Sequence, residues 1–317
     1  MKILAVDDDP TFRELLSLML REMGQEDVTL ASSGGQSLEV IAHAPKPFGC
    51  FLLDIQMPGM SGIEVCSAIR TFASYRQTPI IMITSMSAKS FVDAAFMAGA
   101  TDYLTKPLDR LEMRARIGMA ERLHEEQVRN AALANQAAAK SVAPKLRVDF
   151  EAPMLIPGVK NCIEYLALEN YLLTLGFSRQ IGLAAFCIHI ENAASIFSAA
   201  GPSVFVDMLK DVATVISDET KADQRMFAYA GAGDFVALVS RLAAHETQDL
   251  ELAINIALMD FENIYAAEGV PTPTVVVSDL VRGSIAALGN PAMILNKAIA
   301  LARSSQNSRQ RIGRFVS

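Results

Sequence analysis

The sequence lacks several of the features that would assign it to a class of protein at once. It has no tryptophan, and its four cysteines show neither the paired spacing of a metal site nor a disulfide framework. No apolar run reaches the roughly 18 residues of a membrane-spanning helix. The formal net charge of −7 argues against a nucleic-acid surface, which needs clustered Lys and Arg. We therefore expect a soluble, cytoplasmic protein with neither nucleic acid nor a membrane as its partner.

Basic residues are concentrated only near the C-terminus, from Arg303 to Arg314, and we interpret this stretch as a solvated tail. At the other end, Met1 leads directly into an apolar, strand-like run at 2–6, so no signal peptide is expected. The length of 317 residues and a hydrophobic content of 51% suit two domains, each with its own core.

Residues 1–109 alternate apolar runs with stretches whose apolar residues have helical spacing. This order is typical of βαβ units and predicts a doubly wound parallel sheet covered on both faces. The predicted strands are 2–6, 28–31, 50–54, 79–84 and 101–106.

A change of composition follows, and residues 110–145 are rich in strong helix formers. We predict a helical linker that ends at Pro144. Met113, Ile117 and Ala120 stand at heptad-like positions, so this helix is a candidate for weak pairing in a homodimer.

Residues 146–317 predict a second domain of a different, α+β type. The predicted elements are a strand at 182–190, a helix at 203–216, a hairpin at 226–240, a helix at 250–267, a strand at 273–280 and a helix at 292–303.

Polar side chains follow the predicted strands of the first domain at the point where each strand ends. Ligands of open parallel sheets gather at this edge. Three carboxylates brought together would repel each other unless a divalent cation lay among them, and oxygen ligands suit Mg²⁺. A carboxylate beside such a metal can act as nucleophile toward a phosphoryl group, while a lysine neutralises the developing charge. These side chains are Asp7, Asp8, Asp54, Thr84 and Lys106.

Several of these residues, and the neighbouring Asp9, also have a plain structural interpretation when taken alone. Asp9 precedes Pro10 and is well placed to cap a helix. Asp54 could begin a turn, and Lys106 could be an ordinary loop residue. The conjunction of all of them at one sheet edge favours a functional pocket.

The motifs VDDDP (6–10), LLDIQMPGMSGIE (52–64), ITS (83–85) and DYLTKPLD (102–109) resemble the receiver domain of bacterial two-component response regulators across residues 1–109. The resemblance implies a flavodoxin-like five-stranded sheet and a sensor histidine kinase or phosphotransfer protein as partner. The resemblance also implies that Asp54 is the phosphorylated aspartate, and that Asp7, Asp8 and the backbone carbonyl of Gln56 bind Mg²⁺ with it. Thr84 and Lys106 would contact the phosphoryl group, and Tyr103 would act as an aromatic switch. The peptide bond between Lys106 and Pro107 is expected to be cis.

The second domain is similar to the GGDEF-type diguanylate cyclase domain over residues 150–312. The segments that carry the resemblance are LIPGVKNC (155–162), AAFCIHIENAASIF (184–197), FAYAGAGDFVALV (227–239), VVVSDL (275–280) and the last helix. In this alignment the family's Asp-x-Asp acids fall on His189 and Glu191, and its two guanine-reading residues fall on Phe197 and Val206. The five signature positions are Gly231, Ala232, Gly233, Asp234 and Phe235.

Because Gly233 stands where the family has a metal-binding acid, we expect a catalytically degenerate domain that is not an enzyme and holds no cofactor. Such a domain would signal through an unknown protein effector. Two alternatives remain, supported by the retained acids Glu191 and Asp234: a diguanylate cyclase with substituted ligands, or a non-catalytic sensor of GTP or cyclic diguanylate.

Overall fold

The structure, a computed structural model, describes residues 1–85, 89–139, 148–175, 182–220, 226–240, 247–282 and 292–316. The chain forms two compact units, Met1–Lys145 and Leu146–Ser317. Among the described residues, no helix combines the length and the apolar character needed to cross a membrane.

Five parallel strands form the sheet of the first unit, in the order β2-β1-β3-β4-β5. This confirms the predicted five-stranded parallel α/β fold. The strands are β1 (Ile3–Val6), β2 (Val28–Ala31), β3 (Cys50–Asp54), β4 (Ile80–Thr84) and β5 (Asp102–Thr105). The helices are α1 (Pro10–Glu22), α2 (Gly34–Ala42), α3 (Gly62–Thr71), α4 (Lys89–Met97) and α5 (Arg110–Ala139), with a short 3₁₀ turn at Ala73–Tyr75.

The central strands of this sheet are buried on both faces, which explains why their sequences are almost continuously apolar. Successive side chains of a strand point to opposite faces. Leu4 and Phe51 therefore join the core on one face, whereas Ile3 and Leu52 join the core on the other. Polar side chains are left to the carboxyl ends of the strands, where the site lies.

The start of α5 packs into the first unit. Met113, Ile117 and Ala120 are at most 2% exposed and belong to one of its two cores. In addition, Arg116 Nη1 lies 2.8 Å from Asp102 Oδ2 on β5. This apolar stripe is therefore covered by its own unit. Helical periodicity identifies a buried face but not what covers it. Pairing of the helix in a homodimer stays a prediction. The predicted end at Pro144 lies outside the described residues.

The second unit has an α+β arrangement around an antiparallel sheet of order β10-β6-β8-β7, with β9 also paired to β6. Its strands are β6 (Leu183–Ile190), β7 (Met226–Gly231), β8 (Asp234–Ser240), β9 (Val275–Val277) and β10 (Val281–Arg282). Its helices are α6 (Tyr165–Thr174), α7 (Ala193–Glu219), α8 (Thr247–Met259), α9 (Glu262–Ala267) and α10 (Met293–Val316).

Several elements of this unit differ from the predicted boundaries, among them the last helix, which is predicted at 292–303 and observed at Met293–Val316. The helix predicted at 250–267 is two helices, α8 and α9, and the strand predicted at 273–280 is the shorter β9. Helix α7 begins well before 203 but is interrupted at Gly201, whose φ is 78°. Pro202 follows at once and lacks an amide hydrogen, so the helical hydrogen-bond pattern restarts there.

Candidate functional site

An acidic pocket lies at the carboxyl edge of the first sheet. Asp7 and Asp8 follow β1, Asp54 ends β3, and the carboxylate oxygens of all three lie within 4.8 Å of one another. Asp7 and Asp54 are buried, whereas Asp8 is exposed. In the part of the chain that the structure describes, no other group of three acidic, histidine or cysteine ligand atoms is this close.

Lys106 brings one positive charge to the three carboxylates. Its Nζ lies 2.7 Å from Asp7 Oδ2 and 3.0 Å from Asp54 Oδ1. The pocket therefore keeps an excess of negative charge and an all-oxygen ligand set, and this combination fits a hard divalent cation such as Mg²⁺. Gln56 lies two residues beyond Asp54 with its side chain exposed, where Oε1 accepts a hydrogen bond from the Ser85 hydroxyl at 3.3 Å.

The pocket shifts the titration of its own groups. Burial raises the pKa of Asp54 to about 6; the charges of Asp7 and Asp8 add to this rise, and Lys106 opposes it. Burial alone would lower the pKa of Lys106, but its contacts with Asp7 and Asp54 outweigh burial and raise that pKa. At neutral pH the pocket thus holds an ionised Asp54 beside an ammonium group.

The start of α1 fixes the loop that carries the first two acids. Asp9 caps the helix, its Oδ1 accepting the Thr11 amide hydrogen at 2.8 Å, and its own amide donates to Asp7 Oδ1 at 2.9 Å. Arg13 Nη1 also donates to the Asp7 carbonyl at 2.6 Å. The expected structural role of Asp9 is therefore observed, and it serves the geometry of the pocket.

The loop after β3 approaches Asp54 through a glycine. A Cβ on Gly62 would collide with the Asp54 carbonyl oxygen, so no larger residue fits there without a backbone shift. Ser61 and Glu64 then form a capping box that starts α3.

The remaining predicted residues of this unit lie on β4, on β5 and just after it. Thr84 is buried at the end of β4, and its carbonyl accepts the Lys106 amide hydrogen at 2.7 Å. Tyr103 is half-buried and packs edge-on against Phe96, with ring centroids 6.3 Å apart. The bond before Pro107 is cis, as expected.

The second unit contains a different acidic centre, built around Asp234 at the start of β8. The Asp234 side chain is fully buried, and Arg303 of α10 donates to its Oδ2 through Nε at 2.9 Å and Nη2 at 2.6 Å. His189 of β6 donates through Nδ1 to Oδ1 at 2.7 Å. The expectation that Arg303 belongs to a solvated tail is thereby corrected.

Cys187 adds a further donor to Asp234, with Sγ 3.6 Å from Oδ1. Burial raises the pKa of the Cys187 thiol well above its usual range, and the Asp234 carboxylate adds to the rise, so the thiol stays protonated. Four donor groups thus saturate one carboxylate, and the charge of Arg303 neutralises it.

The five signature positions form a tight hairpin. Ala232 and Gly233 are the two loop residues between β7 and β8, with φ values of 52° and 83°. The Gly233 amide donates to the Tyr229 hydroxyl at 3.1 Å, and a Cβ on Gly233 would lie 2.6 Å from Ala193 Cβ. Phe235 is fully buried against Tyr229, with ring centroids 5.2 Å apart.

Gly231 completes this turn with a φ of 99°, and a Cβ on it would collide with the Glu151 carbonyl oxygen. Packing and backbone conformation therefore account for both glycines of the hairpin.

The other aligned positions of the second unit are Glu191, Phe197 and Val206. Glu191 is half-buried, and its amide donates to the Thr274 carbonyl at 2.9 Å. Phe197 packs with Phe150 and Phe205, at centroid distances of 5.4 and 5.0 Å, and Val206 is half-buried on the same helix as Phe197.

One feature of the sequence could have predicted that Arg303 contacts the core, although its charge suggested a solvated residue. Leu295, Ala298 and Ala302 are buried at helical spacing, and Arg303 directly follows the last of them. A residue at the edge of a buried stripe can reach into the core, which a basic tail cannot.

Comparison with known proteins matches the first unit to a family. A family model of the response regulator receiver domain matches residues 3–118. The chemotaxis protein CheY1 of Helicobacter pylori is 35% identical over 107 residues, which are 34% of this chain and 86% of that protein.

Longer relatives are matched only in part. The signal transduction histidine-protein kinase BarA of Shigella flexneri is 34% identical over 190 residues, and this chain covers 20% of it. The DNA-binding response regulator MtrA of Mycolicibacterium smegmatis is 34% identical over 126 residues, and this chain covers 53% of it. Among solved structures, one of a response regulator from Chloroflexus aurantiacus is 34% identical with a TM-score of 0.36, over 38% of this chain and 95% of that one.

Proposed function

The chain belongs to the response regulator family through its receiver domain, and on this premise we propose that it accepts a phosphoryl group on Asp54 from a sensor histidine kinase or a phosphotransfer protein. The observation that carries the proposal is the buried Asp54 carboxylate, which pairs with Lys106 at 3.0 Å inside a group of three acids.

In the proposed reaction, an Asp54 carboxylate oxygen attacks the phosphorus of a donor phosphohistidine. The new oxygen–phosphorus bond gives an acyl phosphate, the phosphorus–nitrogen bond breaks, and the imidazole keeps its electron pair. Lys106 compensates the charge that arrives on Asp54, and the Thr84 hydroxyl is a donor for a phosphoryl oxygen. Mg²⁺, held by the three carboxylates and the Gln56 carbonyl, would neutralise further phosphoryl charge.

Phosphorylation would change the balance of charge in the pocket. Asp54 would carry about two negative charges instead of one, and Lys106 would be drawn from Asp7 toward the phosphoryl group. Movement of Thr84 and Tyr103 would then alter how the first unit pairs with another copy or with the remainder of α5.

For the second unit we propose a degenerate GGDEF-like domain that acts by binding a protein effector. Three observations support this. The retained acid Asp234 is saturated by its own donors, Gly233 leaves no space for the missing acid, and Phe197 is engaged in an aromatic cluster. The retained Glu191 favours the two alternatives, a cyclase with substituted ligands or a nucleotide sensor.

The phosphorylation proposal is tested with acetyl phosphate and Mg²⁺ on the full chain. Mass spectrometry should find one added phosphoryl group on the unmodified sequence and none on Asp54→Asn. Asp27→Asn, at an exposed aspartate outside the pocket, is the matched control and should be modified normally. Modification that persists in Asp54→Asn would refute Asp54 as the acceptor.

The non-catalytic proposal is tested by incubating the chain with GTP and Mg²⁺ or Mn²⁺, with and without beryllofluoride as a phosphoryl mimic. We expect that chromatography finds no cyclic diguanylate. We also expect that neither GTP nor added cyclic diguanylate raises the melting temperature of the chain. Product that disappears in Glu191→Gln would establish a cyclase. A raised melting temperature without product would establish a sensor instead.

A further inference from the structure

Lys106 has a third neighbour besides its two carboxylates. Its Nζ lies 3.9 Å from the centroid of the Phe12 ring, in the range of a cation–π contact. The ammonium group is thus held by Asp7, by Asp54 and by the face of an aromatic ring.

Phe12 lies on the segment of α1 that also fixes the acidic loop. It lies in the first turn of α1, three residues after the Asp9 cap. Its neighbour Arg13 donates to the Asp7 carbonyl, and Phe12 itself packs against the core of the first unit. The backbone that carries Phe12 is therefore held by the same loop that carries the acids.

An aromatic ring offers Lys106 a kind of attraction that a fourth carboxylate could not. The face of the ring attracts an ammonium group, yet it binds neither a proton nor Mg²⁺. It also has no single acceptor atom, so the ammonium can pivot across it without losing the attraction. Phe12 can thus hold Lys106 near Asp54 while leaving it free to turn toward an incoming phosphoryl group.

We propose that Phe12 is a positioning residue for Lys106, and that its ring keeps the ammonium beside Asp54 during phosphoryl transfer. The inference rests on the proposed phosphoryl acceptance at Asp54. It extends the site to a residue of α1 whose aromatic ring, rather than its apolar volume, is the property required.

The test measures the rate of Asp54 phosphorylation by acetyl phosphate in the full chain at saturating Mg²⁺. Phe12→Leu keeps an apolar side chain but removes the ring, and the rate should fall about fivefold, the effect of losing a partly exposed cation–π contact. Phe12→Tyr keeps the ring and should restore the rate. Phe72→Leu, which removes a ring at the end of α3, is the matched control and should leave the rate unchanged.

A double-mutant cycle separates positioning from a general structural effect. In a Lys106→Met background, Phe12→Leu should have no further effect on the rate, since no ammonium remains to be positioned. An equal fall in both backgrounds, or no rescue by Phe12→Tyr, would overturn the inference. If Phe12→Leu melts at a lower temperature than Phe12→Tyr, Phe12→Met provides the ring-free variant.

The two proposals fail in different ways. An unmodified sequence that takes up no phosphoryl group refutes the acceptor function itself. Normal uptake that is insensitive to the ring at position 12 refutes only the role of Phe12.

Discussion

Asp54 and Asp234 are two buried carboxylates with opposite surroundings. Asp54 is 5% exposed, shares the single cation Lys106 with Asp7, and lies close to Asp8. Asp234 is 0% exposed and has Arg303 to itself, with hydrogen bonds from His189 and Cys187 in addition. Burial alone therefore does not distinguish the proposed phosphoryl acceptor from Asp234.

The difference lies in the balance of charge and donors around each carboxylate. Around Asp54 the negative charge is in excess, so the pocket gains from a cation or a proton. Around Asp234 every acceptor position is used and the charge is neutralised, so a ligand would first have to break that network. Removing charge should thus have opposite effects on the stability of the two units.

The largest effect is expected from Arg303→Met, which leaves Asp234 buried without its cation. The free energy of unfolding of the second unit should fall by about 2–3 kcal/mol, which is less than the roughly 3–5 kcal/mol of a fully buried pair because Arg303 itself is half-exposed. Calorimetry of the full chain measures this, and beryllofluoride identifies the transition of the first unit by raising it.

Arg282→Met is the matched control, because Arg282 is exposed on β10. It should change the stability of the second unit by less than about 0.5 kcal/mol. A similar loss of unfolding free energy in both variants would mean that Arg303 does not specifically stabilise the buried Asp234. The contrast drawn with Asp54 would then be wrong.

Asp54→Asn should act in the opposite direction and stabilise the first unit. Burial raises the pKa of Asp54 to about 6, above the ordinary value of 3.8, so the folded unit binds this proton more tightly than the unfolded chain does. The contribution of Asp54 to stability therefore increases as the pH falls from about 7 toward 4. At pH 7 and without Mg²⁺, the variant should be more stable by about 1 kcal/mol, since Lys106 loses one of its two partners in exchange.

Unfolding at pH 5 and at pH 7 checks this prediction, with Asp8→Asn as the control at the exposed acid of the same pocket. The advantage of Asp54→Asn should shrink at pH 5, and Mg²⁺ should stabilise the unmodified sequence more than the variant. A variant that is less stable at pH 7 would show that the contact with Lys106 outweighs the excess charge.

The same contrast explains which parts of the structure the sequence could predict. Strands buried on both faces must be apolar, so polar residues could stand only at their ends, and the parallel order of the strands assigned those ends to one edge. The proximity of Asp7, Asp8 and Asp54 followed from that constraint. What each of these residues does in the reaction stays a prediction.

The contacts that the sequence could not predict depend on which element covers which. Arg303 is one of several arginines near the C-terminus, and its charge alone suggested solvent rather than Asp234. The stripe through Met113 and Ile117 indicated a buried face, but its periodicity did not identify the sheet of the same unit as its partner. In the sequence, Phe12 is one apolar residue of a predicted helix. Its contact with Lys106 could not be predicted, because no sequence pattern indicates that a ring lies against a lysine far away in the chain.

The smallest expected effect concerns the hairpin that carries Asp234. Ala232 has a φ of 52°, a left-handed conformation that is unfavourable for any residue with a Cβ, whereas glycine adopts it freely. Ala232→Gly should therefore stabilise the second unit by about 0.5 kcal/mol, the relieved strain being partly offset by the greater freedom of glycine in the unfolded chain.

Ala266→Gly on the exposed face of α9 is the control, and it should destabilise the second unit by about 1 kcal/mol because the backbone of Ala266 is helical. If the two variants shift the melting temperature in the same direction, the turn at Ala232 is not strained. If they shift it in opposite directions while GTP turnover stays absent, a third glycine beside Gly231 and Gly233 serves the fold of this hairpin, and the proposal that Asp234 is a structural acid stands even when the turn is relaxed.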